Sequence, residues 1–359
     1  MVLPAMIARS KIFTIAMTMT FLLLQGCASV SYYAQSIGGQ AELFFRQTPI
    51  DKLLENEAVD VATRHKLQLA LELRRFSIEQ LGLPDNDSYS DYADLERRYV
   101  VWTVFATEEF SLQPEQFCFL IVGCLHYRGY FSEAAARRDQ KRLEAHGYDV
   151  FIGGVAAYST LGWFDDPVLN TMLHWSDTYF ARVMFHELAH QLLYIKDDTA
   201  FNESFADAVA LIGVRRWLEY RGDEQGLALF QEEIDREQQF VDLVMRYRQQ
   251  LQELYESGQD EAEMRSQKQH LFARMQADYQ VLKSSWGEGV YDNWFKQGLN
   301  NARLASVSTY RKYTGDMLAI YAELGDNMSL FYDIMMMYGR CRAEQRHTLL
   351  GNRRISADC

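Results

Sequence analysis

The chain has 359 residues, 48% of them hydrophobic and 24% charged, with only 5 prolines. That composition excludes a disordered or repeat-array protein and suits one large domain or two ordinary ones. A formal charge of −13 and a pI of about 5.1 argue against nucleic acid as a partner, because so acidic a surface repels phosphate backbones.

Residues 1–26 read as a targeting segment. Arg9 and Lys11 precede an apolar run of 13 residues, Ile12 to Leu24, interrupted by Thr14, Thr18 and Thr20. A bilayer span needs about 20 residues, so this run is short for one. It ends in Leu24-Gln25-Gly26-Cys27. A leucine followed by glycine and cysteine resembles the lipobox of bacterial lipoproteins, with Gln25 where a small residue is usual. The resemblance implies cleavage before Cys27, diacylation of its sulfur and a lipid anchor in a membrane. An ordinary signal peptide or membrane anchor is the alternative. Ala28 in place of Asp implies, by the same resemblance, the outer membrane facing the periplasm. Loss of residues 1–26 removes Arg9 and Lys11 and no acid, taking the formal charge from −13 to −15.

Residues 36–47 suggest a turn or helix, and the charged, Leu-rich stretch 49–82 suggests two helices before the turn Pro84-Asp85-Asn86-Asp87. Two strands are expected at 98–105 and 115–122, where β-branched and aromatic residues concentrate. A charged helix at 132–146 precedes a strand at 148–155. Helices are expected at 176–195 and from about Asn202 to Tyr220, joined by a loop at 196–199. The polar stretch of about 224–285, split at Ser257-Gly258-Gln259-Asp260, fits an antiparallel helical hairpin with no chemistry of its own. More helices occupy 286–350, with a break at 298–301. Four cysteines follow Cys27, and an even number in an exported chain suggests disulfides. The local pairing Cys118–Cys124 and Cys341–Cys359 closes the smallest loops. Buried free thiols are the alternative.

Chemistry concentrates in His186-Glu187-Leu188-Ala189-His190, an HExxH sequence. On a helix, residues four apart sit one turn above each other, about 40° apart around the axis, so both imidazoles can reach one ion. Glu187 lies beside them, near enough to take a proton from a water activated by that ion. The surrounding helix is apolar (Phe180, Val183, Met184, Phe185, Leu192, Leu193), and two histidines and a glutamate buried there need partners. A catalytic zinc site wants a third protein ligand and leaves one position open. Glu203 supplies it, with 12 residues between it and His190, on a helix returning against the first. Asp207 lies one turn further along the same face, placed to accept the second ring N–H of a ligand histidine, His186 first.

HELAH followed by NESFAD resembles the gluzincin pattern, at a spacing short for thermolysin-like members. A fuller resemblance is to the putative aminopeptidase family of Gram-negative envelope lipoproteins. It runs from Cys27 through GGQAELFF, GCLHYRGYF, GGVAAYSTLGWFDDP, FHELAHQ, FNESFAD and LNNARLASVSTY. It implies one zinc ion, a peptide substrate pairing beside an edge strand such as 153–162, and an oxyanion donor. Tyr310, in the last of those motifs, is the first candidate for that donor, with Tyr158 and His126 behind it. Arg128 and Asn301 are candidates for holding a substrate terminus, and Asp165 and Asp166 for the amine an aminopeptidase must bind.

The expected fold is α+β and mainly α: a zincin-like pair of active-site helices, a small mixed sheet before them and the long hairpin. Residues 27–359 are expected to form a single peptidase domain that includes the arm. The competing reading is a non-catalytic envelope lipoprotein that keeps a metal for structure and serves as a binding or assembly module. Glu187 argues against it, since a structural site has no use for that residue.

Overall fold

Side-chain caps mark where most helices start, and they define the architecture of the computed structural model, which describes residues 32–119, 123–160, 162–287, 289–308 and 312–355. The targeting segment, Cys27, Tyr310 and Cys359 lie outside the described residues. In chain order, α1 (32–46), β1 (Gln47–Pro49), α2 (Ile50–Glu55) and α3 (Val61–Glu79) are followed by β2 (Asp91–Ala93) and β3 (Val101–Glu108). Next come β4 (Phe117–Phe119), β5 (Gly123–Leu125), β6 (Arg128–Tyr130), α4 (Glu133–Glu144), β7 (Tyr148–Val155) and β8 (Val168–Leu169). The rest is helical: α5 (Asp177–Leu192), α6 (Thr199–Tyr220), α7 (Glu224–Tyr255), α8 (Glu261–Trp286), α9 (Asp292–Lys296), α10 (Asn301–Ser308), α11 (Thr314–Glu323), α12 (Met328–Arg340) and α13 (Ala343–Gly351). The fold is therefore α+β and mainly α, with sheets of only two and three strands.

Two sheets carry three strands each. In one, β2 pairs antiparallel with β1 and parallel with β8. In the other, the order is β6-β3-β7, all antiparallel, and β3 pairs with β7 from Val101 opposite Val155 to Glu108 opposite Tyr148. The strand expected at 98–105 thus lies three residues later. Arg97 instead turns its guanidinium to Glu42 at 2.7 Å, and Tyr99 covers Gly154, where a Cβ would meet the ring at 2.5 Å. The stretch expected as one strand at 115–122 is β4 with a reversal into β5. Gly123 has φ +81, and Cys118 and Cys124 face each other across the pair and are disulfide-bonded. Cys341 is also a disulfide cysteine.

The main core surrounds α6, whose residues from Phe201 to Leu218 are buried on nearly every side. An all-round apolar helix of this kind belongs at the centre of a protein. It packs closely on α5 at Gly213, where a Cβ would lie 2.7 Å from Phe185 and 2.9 Å from Leu81. Gly213→Ala should cost about 1–3 kcal/mol through overpacking, read as a lower denaturation midpoint at unchanged slope. The polar stretch forms the expected hairpin: α7 and α8 reverse at Gly258, φ +73, and pack Phe240, Tyr247, Met275 and Tyr279 into a second core with Phe295. Its turn end is pinned to the three-stranded sheet β6-β3-β7 by Lys268, whose Nζ meets Asp149 Oδ2 at 2.6 Å and the Glu109 carbonyl at 2.7 Å.

Candidate metal centre

The histidine helix α5 starts at Ser176, whose hydroxyl accepts the Tyr179 N–H. Lys66 of α3 holds this first turn through Asp177 at 2.6 Å. The helix ends at Leu192 rather than near residue 195, and α6 starts at Thr199 rather than 202. Two side chains move those boundaries. Asp198 caps α6 by accepting the Phe201 N–H, and Asn202, one turn inside, closes the loop by bonding both the N–H and the carbonyl of Ile195 at 2.8 and 2.7 Å. Asp198 is itself buried and clamped by Arg346 at 2.8 Å and His347 at 2.9 Å from α13. The turn between the two helices is thereby fixed from outside, and Glu203 is delivered one turn into α6.

His186 and His190 present their Nε2 atoms to each other at 3.2 Å, with ring planes at 87°. Glu203 Oε2 is 3.4 Å from His186 Nε2, and Glu203 Oε1 is 3.8 Å from His190 Nε2. Bonds of about 2.0–2.1 Å to a tetrahedral zinc set donors about 3.4 Å apart, and one donor atom from each of the three residues lies within 4.8 Å of the others, close enough to share one such ion. Two imidazoles and one carboxylate are also the donor set that leaves a fourth position free. Among the described residues, His186, His190 and Glu203 form the one group of three or more His, Cys, Asp or Glu side chains close enough to share an ion.

The electrostatics follow from burial. Burial pushes His190 down to about 4, against the pull of Glu203, so its ring is neutral at physiological pH and its lone pair is available. Burial also acts to lower His186, but the hydrogen bond and charge of Glu203 outweigh it and the net direction is upward. Glu203 ends below the usual carboxylate range because His186 and His190 outweigh its burial. The Glu187 carboxyl is pushed up to about 7 by burial, with His186 opposing and Glu203 and Asp166 adding. A carboxyl poised near neutrality is suited to accepting and returning a proton.

Asp207 also makes an ion pair that the sequence did not foresee. Its Oδ1 accepts from Arg182 Nη2 at 2.8 Å, and Arg182 Nη1 reaches Glu237 of α7 at 2.7 Å. The Asp207 charge also acts on His186, raising its affinity for a proton. Arg182 therefore ties α5, α6 and the arm together one turn before His186. A lone cation four residues before the first histidine, in an otherwise apolar helix, was the available signal. Arg182→Met removes the cation from two carboxylates and should cost about 3 kcal/mol, read by urea unfolding.

The structure also sorts the remaining candidates. Asn301 is fully buried beside the arm's turn end, bonded to Tyr255, Asp149 and Glu109, and Arg128 is held by Asp139 at 3.2 Å and stacks on Phe117, so neither is free to hold a substrate terminus. Tyr158 stacks against Phe131, and Asp166 is buried, accepting the Thr160 N–H at 2.9 Å and the Ser159 hydroxyl at 3.2 Å. Burial pushes Asp166 up to about 6. Asp165 is exposed. His126 has its Nδ1 buried without a hydrogen-bond partner. The segment 153–162 divides. Its first part ends β7, an edge strand, and the rest leaves the sheet as a loop held by Asp166. Two tyrosines that the sequence did not single out lie at the centre. Tyr194 stacks edge-on to His190 at 6.4 Å, and burial together with the Glu203 and Glu187 charges raises Tyr127, which packs on Phe105 of β3. Tyr127 joins this centre because Cys124, three residues earlier, donates its N–H to Asp197 in the loop between α5 and α6 at 2.8 Å.

A family model described as "Putative aminopeptidase" matches residues 31–350, nearly the whole described chain. The chain belongs to this family. No curated protein matches it, and no solved structure does. Membership of the aminopeptidase family supports a peptidase-like function in general, and the matched span contains α5, α6, the clamp from α13 and the arm.

Proposed function

We propose that the chain is a zinc-dependent peptidase of the cell envelope, acting as an aminopeptidase, with residues 27–359 as its peptidase domain. The observation that carries this reading is the triangle of His186 Nε2, His190 Nε2 and the Glu203 carboxylate beside Glu187, within a chain of the aminopeptidase family. A zinc ion held by those three residues would polarise the scissile carbonyl and make a water acidic near neutrality. Glu187 then takes the proton of the attacking water on its carboxylate and returns it to the departing amine nitrogen. Arg182 and Asp207 hold the two ligand helices in register, and Asp198 with Arg346 fixes the turn between them. The hydroxyl of Tyr310 is the proposed donor to the developing oxyanion. Cys27 is the proposed lipid anchor, placing the enzyme at the outer membrane facing the periplasm.

Paired peptides with free and acetylated N-termini test the aminopeptidase assignment. An aminopeptidase releases single residues from the free N-terminus and spares the acetylated peptide. Equal internal cleavage of both would make the enzyme an endopeptidase.

A further inference from the structure

The face of α1 turned away from the protein is apolar. Tyr33, Ile37 and Phe44 fall within about 40° of one another around the helix, and Ile37 and Phe44 are 69% and 63% exposed. Phe45 beside them is 82% exposed. The packed side lies around the helix from these three: Leu43, about 80–120° away, is buried, and Gly39, about 120–160° away, lies so close to the Phe131 ring that a Cβ would overlap it. A second pair of exposed rings, Trp163 at 71% and Phe164 at 57%, lies on the loop before β8. The two groups are neighbours, because Gln47, directly after α1, donates its side-chain N–H to the carbonyl of Asp165 at 3.2 Å.

Charge is scarce along α1 itself, although Asp165 is exposed directly after Phe164 and Arg46 pairs with exposed Glu96 just past the helix. Between residues 32 and 45 the only charged residue is Glu42, and Arg46 and Arg97 both pair with it. Exposed aromatic and aliphatic side chains clustered together and rimmed by polar residues mark an interaction surface. Where the chain comes from identifies what covers it. Tyr33 is six residues after Cys27, a reach of about 20 Å at full extension, and nine after the apolar run ending at Leu24. Whatever membrane holds that segment lies within reach of the stripe. Among the described residues no helix is long and apolar enough to cross a membrane, so contact would be in the plane of the lipid surface.

We propose that Ile37, Phe44, Phe45, Trp163 and Phe164 form a lipid-docking surface that lays α1 along the bilayer. A net charge of −13 argues against a basic patch as the contact with lipid, which leaves these apolar side chains to set how the protein lies beside its anchor. Aromatic side chains favour the water–lipid boundary. Docking also sets the orientation of the metal centre. Gly162 of the ring-bearing loop lies against Gln191, the residue after His190, its Cβ position 3.6 Å from that side chain.

The test uses the chain from Ala28 onward, which lacks Cys27, so its outcome is independent of the lipid-anchor reading. It keeps the fold, since every buried core residue lies between Leu43 and Leu350. Sedimentation with phosphatidylcholine vesicles should show binding that persists at high salt. A Phe44→Ser/Phe45→Ser/Trp163→Ser variant with unchanged circular dichroism should bind about 10³-fold more weakly, each ring contributing roughly tenfold. Equal binding by parent and variant, or no binding by the parent, would overturn the proposal. So would a parent that is dimeric and free of vesicles while the variant is monomeric, because a second copy would then be the occupant. Fractionation of full-length chain with Cys27→Ser tests the anchor separately.

Discussion

Glu187→Gln should lower kcat for peptide hydrolysis by about 10²- to 10⁴-fold, the usual contribution of a positioned acid–base group, while metal content stays at the parent value. The substitution keeps the size of the side chain and removes only its capacity to take a proton. Glu187 belongs to none of the three donor positions, so those atoms stay where they are. Burial already pushes its carboxyl up to about 7, so the neutral amide is compatible with its surroundings and the fold should be unharmed. Turnover against a peptide substrate and elemental analysis on the same preparation check the prediction. Loss of metal together with loss of rate would assign Glu187 to the metal-binding set instead.

Glu203→Ala should give the complementary result, losing metal and turnover together. Zinc held by protein ligands binds with about 10–16 kcal/mol in all, so removal of one ligand of three costs about 3 kcal/mol or more, a factor on the order of 10² to 10³ in affinity. The same loss should lower the melting temperature measured with zinc present and leave the metal-free melting temperature nearly unchanged, because a ion that binds only the folded state stabilises it by mass action. Equal zinc affinity in parent and Glu203→Ala would remove Glu203 from the donor set. With Glu187→Gln this makes a pair, one variant separating chemistry from metal retention and the other removing both.

The parts of the fold legible in the sequence were those set by periodicity. The HExxH helix and the long hairpin announce themselves by apolar residues at helical spacing over many turns, and the return helix by an apolar run too long for a strand. The boundaries were less legible because tertiary contacts set them. Asn202 reads as a helix start by composition, yet its amide is used to close the preceding loop, and Asp198 does the capping. Of the strand expected at 115–122, β4 covers 117–119 and pairs antiparallel with β5, whose first residue Gly123 adopts a positive φ and is pressed against Asp197, where a Cβ would come within 2.2 Å of Oδ1. The metal-capable triad could be read from spacing because all three donors lie on two consecutive helices. The surroundings could not. Arg182, Glu237, Arg346 and Tyr127 come from a helix face, the arm, the last helix and a hairpin far apart in the chain, and only the fold brings them to one place. Asn301 and Arg128 looked available for the same reason, since nothing in the sequence shows that a polar side chain is already spent on a buried network.

The central claim is that His186, His190 and Glu203 hold a catalytic ion. Chelator titration of the chain from Ala28 onward, assayed on a mixed peptide library and followed by zinc replenishment, tests it most directly. The account predicts cleavage that falls with the chelator and returns with stoichiometric zinc. Cleavage that survives complete metal removal, or a fully zinc-loaded protein that cleaves nothing in the library, would contradict it.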